Sequence, residues 1–138
     1  MTYTIKQAAE KMNVTAHTLR YYDKEGLLPF VSRDKSGNRV FTEGDMEWLG
    51  LISCLKNTGM PIKQIGTYIQ WCAAGDSSIG VRRQMLIEHR EAILRQLEEL
   101  NHNLEAINHK IEYYNKLVQP KLAVSMQEPV ILENLPEP

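Results

Sequence analysis

The chain is 138 residues long, 43% hydrophobic and 24% charged, with a formal net charge of −1. That length suits one domain, or a small domain with an appendage, and the composition is ordinary for a soluble protein. No apolar stretch approaches the ~20 residues of a membrane span, and no basic-then-apolar leader opens the chain. Cys54 and Cys72 lack CxxC spacing and make neither a disulfide framework nor a zinc site. A reduced, cytoplasmic protein is expected. Charge is unevenly placed: residues 1–40 hold seven Lys/Arg against four Asp/Glu, residues 71–138 seven against ten. A basic head with an acidic remainder fits a head that docks on phosphates.

The first element is a helix in "YTIKQAAEKMNV". Thr4 and Gln7 form a capping-box pair, Ile5, Ala8, Ala9 and Met12 make one apolar stripe, and Asn13 closes it. Thr15 caps a second helix, predicted over 16–25 and stopped by Gly26. Two short helices, a tight turn and small alanines at their crossing make a helix-turn-helix. On the second helix Leu19 and Tyr22 face the core, while Thr18, Arg20, Tyr21 and Lys24 fall largely on outward faces. An arginine fork and a tyrosine hydroxyl are both donors for phosphate oxygens, and arginine also suits guanine. The plainer reading is a solvated face that carries an aromatic.

"FVSRDKSGNRVFT" then reads as a β-hairpin around an Asp/Ser/Gly/Asn turn. Arg33, Lys35 and Arg39 surround its tip and make it a basic wing, which weakens the plainer reading, because a recognition helix followed by a wing is a recurrent DNA-binding arrangement. A third helix starts at cap Thr42 and ends at Gly59. A fourth has Pro61 at its first helical position and a stripe of Ile62, Ile65, Ile69 and Cys72. "AGDSS" breaks the chain before the last helix.

From Ile93 the apolar positions alternate by four and three. Leu97, Leu104, Ile111 and Val118 occupy a, and Ile93, Leu100, Ile107 and Tyr114 occupy d, the pattern of a coiled-coil seam. So narrow a stripe needs a partner helix, and the head has none of that length, so the seam is read as a homodimer contact. Occupancy of a and d leaves the orientation of the two strands open. Beyond Pro120 come three more prolines and few aromatics, so residues 119–138 are expected to form a flexible tail.

"TIKQAAEKMNVTAHTLRYYDKEGLL", "GNRVFTEGDMEWLGLI" and the long final helix together resemble the MerR family of transcriptional regulators, over residues 2 to 118. The resemblance implies a mainly α fold: a winged helix-turn-helix head with a helix pair (1–75), then a dimerisation helix (76–118) in an antiparallel coiled coil. It also implies an activator that binds a pseudo-palindromic promoter duplex and distorts it on sensing an effector, reaching RNA polymerase indirectly through the DNA. Carried over by position, Thr18, Arg20, Tyr21 and Tyr22 contact DNA from the second helix and Arg33 and Arg39 from the wing. Lys56 or Lys63 then reach phosphates from the next helix pair.

Metal-sensing members place cysteines or histidines at the far end of the coiled coil, whereas residues 118–138 contain neither. No metal and no other cofactor is expected. "ISCLKNTGMPI", around Cys54, resembles the thiol-using branch of the family, which responds to aldehydes or to nitrosative and oxidative stress. Cys54 is therefore the candidate sensor, against the plainer reading of a buried structural cysteine; Cys72 is most simply a small core residue. Two alternatives stand beside this one: a family member without thiol sensing, controlled by a protein partner or its own tail, and a coiled-coil interaction module that has lost DNA. An enzyme is not expected, since no nucleophile–base pair, paired carboxylate or phosphate loop stands at usable spacing.

Overall fold

The computed structural model of the chain describes residues 1–118; the expected tail, 119–138, lies outside them. Element order is β1 (Thr2–Tyr3), α1 (Ile5–Met12), α2 (Ala16–Lys24), β2 (Ser32–Arg33), β3 (Arg39–Thr42), α3 (Glu43–Asn57), α4 (Ile62–Ala74), a 3-10 turn (Asp76–Ser78) and α5 (Ile79–Leu117). Contacts divide the chain into two compact units, Met1–His89 and a second from Arg90 onward.

Helix starts follow the caps. Thr4 Oγ1 accepts from the Gln7 amide at 3.1 Å while Gln7 Oε1 accepts from the Thr4 amide at 2.9 Å. Thr15 accepts from the Thr18 amide at 3.0 Å. Thr42 and Asp45 form a second reciprocal box at 3.1 and 2.9 Å, which leaves the 8%-exposed Asp45 carboxylate satisfied. Asn13 ends α1 in the left-handed region at φ 57°, a conformation its short polar side chain tolerates. Pro61, expected at the first helical position of α4, is instead its cap, with an extended ψ of 147°, and Ile62 is the first helical residue.

The sheet has three antiparallel strands in the order β1-β3-β2, not the two of a bare hairpin. Tyr3 pairs with Phe41 and Thr2 with Thr42. The Tyr3 hydroxyl also donates to Glu43 Oε1 at 2.6 Å, fastening β1 to the first turn of α3. That bond is the main cause raising the Tyr3 phenol above its ordinary value.

The core lies among α1–α4 and β3. Phe41, Leu19, Leu27, Leu28, Leu49, Ile52 and Ile65 are its largest fully buried side chains. Ala8 and Ala9, also buried, put α1 close to α2. The predicted stripe of α4 is Ile65 and Ile69 buried, with Ile62 and Cys72 partly so. Met85 and Leu86 pack on this same core, which is why the compact head extends to His89 rather than stopping at the Gly75 break. Ser78 secures that break: its Oγ donates to the Trp71 and Gly75 carbonyls and accepts from Arg82 Nε at 3.0 Å.

Within the second unit α5 buries no residue. Leu97, Leu100, Leu104, Ile107 and Ile111 are each more than half exposed and Tyr114 is 48% exposed. Ile93 is half-buried, and Val118 lies one residue beyond the last helical position. Among the described residues, no helix is long and apolar enough to cross a membrane.

Candidate nucleic-acid interface

Leu19 and Tyr22 face inward from α2, with 1% and 2% exposure, so the helix must turn its other side to solvent. That side carries exposed Arg20, Tyr21 and Lys24, and half-buried Thr18. Tyr21 is 43% exposed, and its ring stands 6.4 Å from the buried ring of Tyr22. The two tyrosines of "RYYD" thus differ in environment: Tyr22 packs, and Tyr21 is displayed.

The wing is ordered by Asp34. Its Oδ1 accepts from the Ser36 and Asn38 amides, both at 2.9 Å, a closed turn that uses Gly37 at φ 84°. Lys35 is exposed at the tip. Arg33 donates from Nη1 to the Gly37 carbonyl at 2.8 Å and keeps a side chain that is 53% exposed.

Arg39 is held differently. Its Nε donates to Asp23 Oδ2 at 2.8 Å, with only 19% of the arginine side chain exposed, and Arg33 Nη2 approaches the same oxygen at 3.6 Å. Asp23 sits on α2 directly after the two tyrosines, so one carboxylate from the helix clamps both strands of the wing. Asp23, which the sequence reading did not single out, sets the spacing between recognition helix and wing. Exchange of Asp23 for Asn is expected to lower folding stability by about 1–2 kcal/mol, since the pair is charge-assisted and partly buried. Urea titration reads this as a lower midpoint, and Arg39→Ala should add little to Asp23→Asn in the double variant.

Arg20 and Arg39 line one cleft of about 590 Å³ together with Lys6, Gln7 and the wing residues Asp34, Gly37 and Asn38. Lys6 is the second residue missed from the sequence; its signal was a cation in the first turn of α1, beside the capping box. Lys56 and Lys63 are exposed in the last turn of α3 and the first of α4, and neither lines this cleft.

The two thiols have distinct surroundings. Cys54 is exposed and Cys72 half-buried. The Cys54 carbonyl receives both the amide and the hydroxyl of Thr58, at 3.1 and 2.7 Å. Arg82 Nη1 lies 3.8 Å from Cys72 Sγ, and Cys72 borders a small apolar hollow with Pro29, the Phe30–Trp48 stack, Ile69 and Ala73. Burial, with Cys72 adding to it and Arg82 opposing, pushes the Tyr68 phenol up. Among the described residues no group of three or more His, Cys, Asp or Glu is placed to hold a metal.

An outward Arg–Tyr face tied through Asp23 to a basic wing is the arrangement of a winged helix-turn-helix head. Comparison with known proteins agrees. The chain belongs to the MerR HTH family of regulatory proteins, whose profile matches residues 3–71. It is 55% identical over 82 residues to an uncharacterized HTH-type transcriptional regulator of Haemophilus influenzae, and 36% identical over 90 residues to the HTH-type transcriptional regulator AdhR of Bacillus subtilis. These matches cover 59% and 65% of this chain and 61% and 64% of those relatives. Among solved structures it is similar to HiNmlR, a MerR family regulator lacking the sensor domain, bound to promoter DNA. There the TM-score is 0.81 and identity 41%, covering 91% of this chain and 100% of the other. A MerR family regulator from Bacillus thuringiensis gives a TM-score of 0.76 at 41% identity, covering 83% and 100%. The chain is a DNA-binding transcriptional regulator of this family, and these relatives are regulators, not enzymes.

Proposed function

We propose that two copies of the chain join along the α5 seam, bind a pseudo-palindromic promoter operator, and activate transcription when an electrophile modifies Cys54. The observation that carries this reading is the displayed seam: five aliphatic side chains at heptad positions, each more than half exposed on one helix, on a chain whose head reads DNA. A homodimer presents two heads related by a two-fold axis, and the operator's symmetry mirrors that of the protein. RNA polymerase is reached through distortion of the duplex, and the regulator works in the cytoplasm.

Exposure of Cys54 supports the sensor role, because an attacking thiol must be reachable. With an aldehyde, the sulfur bonds to the carbonyl carbon, the C=O π bond opens, and the thiol proton passes to the oxygen to give a hemithioacetal. The adduct changes the bulk of α3 without any oxidant.

The test starts with duplexes selected from a random pool by the purified protein. Selected sequences should be inverted repeats, and binding should weaken steeply with salt as phosphates regain counterions. In transcription from such a promoter, S-nitrosoglutathione or formaldehyde should raise output for the wild type but not for Cys54→Ser. Unaltered induction of the Cys54→Ser variant would leave a regulator controlled by a partner protein or its tail. Binding without salt dependence would leave an interaction module.

A further inference from the structure

We infer that the Thr58 hydroxyl and the His89 imidazole form a relay that carries the state of Cys54 to α5. This rests on the reading of Cys54 as the sensor and assigns the residues through which it acts.

Three observations converge on this turn. First, the Cys54 carbonyl is bound twice by Thr58, through N–H at 3.1 Å and Oγ1 at 2.7 Å. Second, Thr58 Oγ1 meets His89 Nε2 at 2.7 Å, a partly buried contact spanning 31 residues of sequence. Third, Cys54 and Thr58 are four apart on α3 and its cap, so their side chains share one face. Among the described residues this is the one side-chain hydrogen bond from α3 or its cap to α5.

The Thr58 hydroxyl reaches the Cys54 and Leu55 carbonyls, at 2.7 and 3.2 Å, as well as His89 Nε2. With its single proton on a carbonyl, the imidazole donates from Nε2–H; with His89 in the other tautomer, the hydroxyl donates to Nε2. In both arrangements the hydroxyl joins the imidazole to the last turn of α3. Elsewhere α5 is held to the head by the partly buried pair Met85 and Leu86 and by Arg82, whose guanidinium donates to Ser78 Oγ, the Gly75 carbonyl and Cys72 Sγ; α5 has no fully buried residue. Of these anchors the Thr58–His89 bond lies nearest in sequence to the seam, so its loss frees the stretch of α5 that leads into it. Bulk added at Cys54 Sγ crowds the face on which Thr58 bonds to His89, and rotation of the Thr58 side chain breaks the link. The same α5 continues into the seam residues from Ile93. Thr58 and His89 are positioning residues: neither reacts with the electrophile.

Hydrogen exchange of the full-length protein, before and after N-ethylmaleimide, tests this; peptide mapping confirms where the label sits. The thiol adds across the maleimide double bond, and its proton goes to the neighbouring carbon. In the wild type, labelling of Cys54 should speed amide exchange within residues 79–89 by about fivefold or more. The Thr58→Val variant should exchange at the fast rate unlabelled and show no further response, while Thr58→Ser, which keeps the hydroxyl, behaves as wild type. His89→Leu and His89→Gln probe the same bond from the other side, so a Thr58→Val variant that fails to fold leaves the test intact; the glutamine variant keeps an N–H donor and should respond. A wild-type response in both Thr58→Val and His89→Leu, with none in Cys54→Ser, overturns the relay and leaves the sensor reading standing. A full response in Cys54→Ser removes the sensor reading and the relay with it. No response in the labelled wild type overturns the relay as well.

Discussion

Exchange of both Leu100 and Leu104 for glutamate should convert a dimer to a monomer of 15.9 kDa and weaken operator binding by about a hundredfold or more. The magnitude follows from the exposed seam. Burial of an aliphatic side chain is worth roughly 1.5–3 kcal/mol. Ten such side chains, the five over-half-exposed ones from each copy, recover about 10 kcal/mol even at partial burial, against an association cost on the order of 4–15 kcal/mol. Glutamates at the centre of a two-fold contact remove four of the ten and face one another across it. The affinity loss follows from bivalency, since a second linked head multiplies binding by about 10²–10⁴. Sedimentation equilibrium and fluorescence anisotropy on the same samples read both effects. A variant that remains dimeric would remove the seam from the account. The substituted side chains are solvent-exposed in the single chain, so the head should keep its helical spectrum and its melting transition.

The second large effect concerns Arg20 and Tyr21. Arg20→Ala should weaken operator binding by about ten- to a hundredfold, and Tyr21→Phe by several-fold, with no loss of folding stability because both side chains are exposed. Salt dependence separates the two ways Arg20 can act. If it grips a phosphate, the slope of log affinity against log salt falls by about one for each half-site and sequence preference is unchanged. If it reads a guanine edge, the slope holds and the preference at one base pair relaxes, at about 1–3 kcal/mol. Tyr22→Phe serves as the internal contrast. Its ring is buried in the core, so stability is the property it is expected to change.

Much of the head was legible because its boundaries are written in local chemistry. Thr4 with Gln7, Thr15 and Thr42 each announce a helix, and Gly26 and Gly59 end one at φ 80° and 100°. Strand β1 was not legible: two residues carry no alternation, and their partners Phe41 and Thr42 lie some 40 positions away. The place of Arg39 was hidden for a similar reason. Its charge marked it as a wing cation, but Asp23, 16 residues earlier, occupies its Nε. Exposure of Cys54 could not be read because α3 is apolar around most of its circumference, with Met46, Trp48, Leu49, Leu51, Ile52 and Leu55 leaving no clear polar face. The sequence reading divided the chain at the AGDSS break, and the packing of Met85 and Leu86 on the head core, beyond that break, carries no local signal.

Thr42 is at once the final residue of β3 and the cap of α3, with Asp45 locked beneath it. No loop separates the sheet that bears the wing from the helix that bears Cys54. Under the proposed function, force on the wing from a distorted duplex would pass to that helix without a loop to absorb it. Strain in the DNA and chemistry at the sulfur would then act on the same lever.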